Sequence, residues 1–116
     1  MTREVKSDAV PSWPAVAALL AAGGSAVQMR MIDGALAAPD DEPPEGWREL
    51  RVALAGEMVT ARRVPGGVQV VAWGNANLTQ LRAWNALAWA FAKAGGGTVD
   101  GAEADEFAAG AEMPKA

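Results

Sequence analysis

The sequence predicts an α+β fold: a four-stranded antiparallel sheet, mostly a meander, with a short N-terminal helix and a long C-terminal helix packed on one face. Three observations predict it. Polar and apolar residues alternate over 26–32, 48–54 and the two arms of 58–73, the two-residue period of half-buried strands. Residues 13–22 and 78–94 instead place apolar side chains at helical spacing. Short runs of Gly, Pro, Asp and Asn separate these stretches and give the order α-β-β-β-β-α.

Residues 1–11 mix charges without a period and read as a flexible N-terminus. Ser12 can cap a helix whose first turn holds Trp13 and Pro14. Val16, Leu19 and Leu20 form its apolar stripe, and Gly23-Gly24 ends it. In 26–32, Val27, Met29 and Met31 point one way, Gln28 and Arg30 the other. Asp33-Gly34 turns the chain into an acidic, proline-rich surface loop over 35–46. In 48–54, Leu50, Val52 and Leu54 point inward, with Glu49 and Arg51 outward.

A hairpin follows, Met58–Val64 and Val68–Trp73 around Pro65-Gly66-Gly67. A three-residue loop closed by a left-handed glycine pairs Val64 with Val68, Arg62 with Val70 and Thr60 with Ala72. The preferred orientation turns Val59, Ala61, Val71 and Trp73 toward the helices and leaves Met58, Val64, Val68, Val70 and Ala72 outside. The reverse would bury Arg62 in the core. Asn77 and Gln80 then form a capping-box pattern, with Asn75 as the rival cap. Leu81, Trp84, Leu87, Ala88 and Phe91 share one helix face, which Leu78, Trp89 and Ala92 widen beyond what a surface helix needs. Gly95–Gly97 stop the helix after Lys93. The ordered domain is thus expected over 12–96. Residues 97–116, rich in Gly, Ala and acids with Phe107 the main exception, are expected to be a disordered and dispensable tail.

A chain of 116 residues suits one small domain, and its five tryptophans should dominate a core or an interface. It has no cysteine and no histidine, which excludes disulfides, zinc sites of the usual kind, Cys or His nucleophiles and imidazole acid–base chemistry. Cysteine-free composition is compatible with a cytoplasmic setting. No apolar run approaches the roughly 20 residues of a membrane span. From residue 96 onward five acids face one lysine, so the tail carries the whole net charge of −4 and the body is neutral. That balance argues against nucleic-acid binding.

Four constellations offer chemistry. Asp40, Asp41, Glu42 and Glu45 could collect a cation, but their spacing matches no calcium loop, so no metal is expected. Arg30, Arg51, Arg62 and Arg63 could form a guanidinium stripe across the exposed sheet, suited to phosphate or carboxylate. Asn75 and Asn77 mark a helix N-terminus, where free amides attract anions. Trp84 and Trp89 could line a pocket. Serines and threonines lack an activating base. The sequence therefore reads as a non-catalytic protein-interaction module without a cofactor, a homodimer or a subunit or adaptor of a larger assembly. Met58, Val64, Val68, Val70 and Trp89 are the interface candidates. The alternative is a small anionic-ligand binder using the arginine stripe and the helix N-terminus.

Overall fold

The computed structural model describes residues 1–74 and 77–114. The α+β class holds, but the antiparallel sheet has eight strands instead of four. The elements are β1 (Thr2–Lys6), α1 (Trp13–Ala22), β2 (Val27–Ile32), β3 (Ala35–Leu36), β4 (Glu49–Leu54), β5 (Glu57–Val64), β6 (Gly67–Val71), α2 (Leu78–Gly95), β7 (Thr98–Val99), β8 (Ala102–Glu103) and α3 (Ala104–Gly110). The strands run in the order β3-β2-β4-β5-β6-β1-β7-β8. Among the described residues, no helix is long and apolar enough to cross a membrane.

Both ends of the chain depart from the expected 12–96 domain. The N-terminus, expected to be flexible, supplies β1, which lies between β6 and β7 and pairs with both. Its pattern does alternate, with Val5 buried and Arg3 on the same inner side. An arginine at an inward position hides that period. The expected tail supplies β7, β8 and α3, and buries Val99, Ala104 and Phe107. Asp100-Gly101 carries positive φ at both residues (48° and 87°), the two-residue turn geometry that closes tight hairpins. Strands of two residues are too short to show a period, so this Asp-Gly pair is the one local sign of β7 and β8.

The central hairpin forms in a different register. Val64 pairs with Gly67, Arg63 with Val68, Arg62 with Gln69 and Ala61 with Val70. The loop is two residues, Pro65 and Gly66, with Gly66 at φ 83°. Gly67 belongs to β6, where a Cβ would overlap the Val5 carbonyl of β1. The tertiary contact, not the turn, demands this glycine. A one-residue slip exchanges every side chain between faces. Val59 and Ala61 point inward as expected, but Val68, Val70 and Ala72 join them in the core. Trp73, expected inside, is 62% exposed.

Elsewhere the register shifts between Met29 and Met31, so Met31 pairs with outward Arg51 while Ile32 takes the inward place opposite Leu50. The 35–46 loop is partly strand β3, and Pro39 accepts a hydrogen bond from the Met29 amide (2.9 Å). Beyond it Trp47 is buried against Phe91, with ring centroids 6.0 Å apart.

The wide apolar arc of α2 has three neighbours. The sheet covers one side, and α1 and α3 pack on the others. Ala83, Ala86, Ala88, Ala90 and Ala92 are all buried, so small residues let the sheet, α1 and α3 approach one helix. Asn77 caps α2, its side chain accepting from the Gln80 amide (2.8 Å). The Gln80 side chain donates to the Trp73 carbonyl (3.2 Å), so only half of the capping box forms. At the other end Gly96 takes the left-handed cap (φ 65°) that turns the chain into β7.

Candidate functional site

The four arginines do not form one stripe. Arg62 and Arg51 stand on the open face and share one carboxylate, Glu49, at 3.3 and 3.5 Å. The register extends this pairing into a row across four strands, Glu49–Arg62–Gln69–Glu4, closed by a Gln69–Glu4 hydrogen bond of 2.9 Å. Arg30 donates to Gln28 (3.1 Å). These charges neutralise one another along the sheet. Arg63 lies on the opposite face, where β5 alternation sends it toward the helices. Its guanidinium covers the Trp47 ring at 4.6 Å and donates to the Glu45 carbonyl (2.6 Å). Asn77 serves α2 as its cap, and Asn75 lies outside the described residues.

The interface candidates also divide. Val68 and Val70 are core residues, which corrects the expectation that they form an outer patch; the two-residue turn is the cause. Val64 is half-buried and Met58 is 46% exposed. Trp73, two residues past the end of β6, is 62% exposed, so Met58 and Trp73 are two large apolar side chains left open to solvent.

Trp89 is half-buried at a groove of about 450 Å³ between α1, α2 and α3. Leu19, Leu20, Ala86, Ala108, Ala109 and Met113 line it with Trp89. Asp105 stands at its edge, accepting from Lys93 (2.6 Å) and from the Trp89 indole (3.3 Å). The Lys93 bond, then the Trp89 bond, hold the Asp105 carboxyl below its ordinary pKa. Glu112, adjacent to Met113, is exposed and weakly paired with Arg82 at 3.8 Å.

The acidic loop does not assemble a metal centre: among the described residues no three His, Cys, Asp or Glu side chains gather as ligands. Asp41 accepts the Ala38 amide (2.8 Å) and so closes a local turn.

One polar cluster escaped the sequence reading. The Arg3 guanidinium lies over the Trp84 ring (4.4 Å) and over the Phe107 ring (5.0 Å). It donates to Asn85 (3.2 Å) and to Asp100 (2.9 Å). Asn85, buried on α2, donates in turn to the Glu112 carbonyl (2.8 Å). The cluster ties β1, α2, the β7–β8 turn and α3 together. An asparagine amid the apolar residues of α2 is its signal in the sequence, because a buried amide requires partners.

No protein-family model, curated protein or solved structure matches this chain.

Proposed function

We propose that the chain is a protein-interaction module whose working surface is the groove between α1, α2 and α3. The carrying observation is that the groove remains apolar and open after the other faces of α2 have been covered. Its walls are Leu19, Ala86, Trp89, Ala108 and Met113, one of them aromatic, the composition of a docking cleft rather than a polar active site. The occupant that fits is an amphipathic segment of another protein bearing basic residues beside its apolar face. Asp105, Glu106 and Glu112 lie on the α3 side, and the chain as a whole is acidic. A cytoplasmic setting accompanies this reading, on the absence of cysteine.

The test is a titration with a lysine-flanked amphipathic peptide, followed on the Trp89 indole resonance. That resonance should shift, less so as salt rises. Ala109→Lys, at an exposed position lining the groove, should abolish the shift. An unchanged indole at millimolar peptide, or an equal response to a glutamate-flanked peptide, would sink the proposal.

Exposed Met58 and Trp73 favour a second reading, self-association through the open sheet face into a symmetric dimer. Sedimentation equilibrium should then give a two-chain mass that Trp73→Asp reduces to one. A single-chain mass for the unaltered protein at high micromolar concentration would end this reading.

A further inference from the structure

We propose that a second pocket, around Arg63, binds a carboxylate that carries an apolar body. The pocket has a volume of about 360 Å³ and is walled by Val10, Pro11, Pro14, Pro43 and Trp47. Arg63 reaches it from the inner face of β5, the side on which its strand neighbours Ala61 and Val59 are core. Among the described residues no acid pairs with Arg63 within ion-pair distance, although Arg62 beside it has Glu49. Arg63 Nε is fully buried and has no hydrogen-bond partner among the described residues. Stacking on Trp47 and the bond to the Glu45 carbonyl hold the guanidinium in one orientation, so little freedom remains to be lost on binding.

A second positive source borders the same pocket. Ser12, the N-cap of the ten-residue helix α1, and Pro14 in its first turn line it. The Ser12 side chain makes no cap hydrogen bond, and no acid occupies that turn. Pro14 has no N–H and the Val16 amide bonds the Ser12 carbonyl, so the Trp13 and Ala15 amides and the helix dipole add to the Arg63 field. The walls decide the kind of anion. Glu45 lines the same pocket and offsets part of the Arg63 charge, which disfavours a phosphate dianion more than a monocarboxylate. Proline and valine walls suit an alkyl or aryl body better than a bare ion.

The test uses hexanoate, acetate and inorganic phosphate as probes, read by chemical shifts of Val10 and of the Trp13 and Trp47 indoles. Hexanoate should shift them and bind about tenfold more tightly than acetate, because its chain adds apolar contact. Phosphate should bind no better than acetate. Arg63→Gln should weaken hexanoate about tenfold or more. Because Arg63 also packs on Trp47, Ser12→Asp provides the independent variant: aspartate is a good helix cap, so the thermal midpoint should hold or rise while hexanoate binding falls. The proposal is overturned if hexanoate up to tens of millimolar leaves these resonances unmoved. It is equally overturned if Ser12→Asp binds as well as the unaltered protein, or if phosphate binds more tightly than hexanoate.

Discussion

The β5–β6 hairpin and the β1–β7–β8 strip belong to one sheet but are built by opposite means. The hairpin is local: two strands of apolar alternation joined by Pro65-Gly66, each supporting the other through neighbouring residues. The strip is assembled from the two ends of the chain, and Val5 meets Val99, 94 positions further along the sequence. The hairpin needs only its turn and its pattern. The strip needs Gly67, Arg3, Asn85 and Phe107 from four separate segments. Stability should therefore be most sensitive at the places where the strip is fastened.

The largest effect expected is from truncation after Gly97. It removes buried Val99 and Phe107 and exposes the edge of β1, and a buried Phe alone contributes about 3–5 kcal/mol. Chemical denaturation should show a loss above about 5 kcal/mol, or no cooperative transition. A loss under about 1 kcal/mol would show that the strip contributes no more than an ordinary surface residue.

Adjacent glycines separate turn from strip most directly. Gly66→Ala strains only a left-handed turn residue and should cost about 1–2 kcal/mol. Gly67→Ala drives a methyl into the β1 backbone and should cost about 3 kcal/mol or more. Equal losses in urea unfolding would contradict the close approach of β1. Next comes Arg3→Ala, which removes two charge-assisted hydrogen bonds and a cation lying over two rings. About 2 kcal/mol is expected, discounted because the side chain is 28% exposed. Amide exchange in α3 should rise along with it; unaltered exchange there would dissociate Arg3 from the C-terminal helix.

The smallest effect lies away from the strip, at the turn between β2 and β3. Asp33 accepts the Arg48 and Glu49 amides (2.7 and 2.8 Å) and fastens the end of the long loop. The Glu49 bond first, then the Arg48 bond, hold its carboxyl below the ordinary pKa. A depressed folded pKa stabilises the fold above the unfolded value of about 3.9, and that contribution disappears as pH falls through the folded value. The midpoint of the unaltered protein should therefore fall more steeply below about pH 4 than that of Asp33→Asn. Parallel curves would mean that Asp33 holds no proton-linked role.

Much of the fold was readable because it is local. Helices 13–22 and 78–94, the inward sets of β4 and β5, and the Asn77 cap follow from spacing and turn chemistry. Arg62 and Arg51 were placed on the open face correctly, since alternation decides that within one strand. Arg63 does not belong to that stripe, and its position beside Arg62 already sends it to the other face. The wide helix face points to Trp89 from spacing alone, and in the structure Trp89 lines a groove at that edge of α2.

The sequence by itself determined the α+β class, the major helices and the central strands, because periodicity and caps act between residues a few positions apart. Only the tertiary structure decided the hairpin register, the use of both termini and the separation of Arg63 from its neighbours. The loop after Val64 admits two lengths from its own residues. The approach of β1 selects the shorter one, because it requires a glycine at position 67 inside the strand. Charged Arg3 and the alanine-rich 102–111 stretch look unfit for a core when read alone. They acquire that role when Trp84, Asn85 and Phe107 surround one guanidinium, a contact between segments that no local pattern encodes.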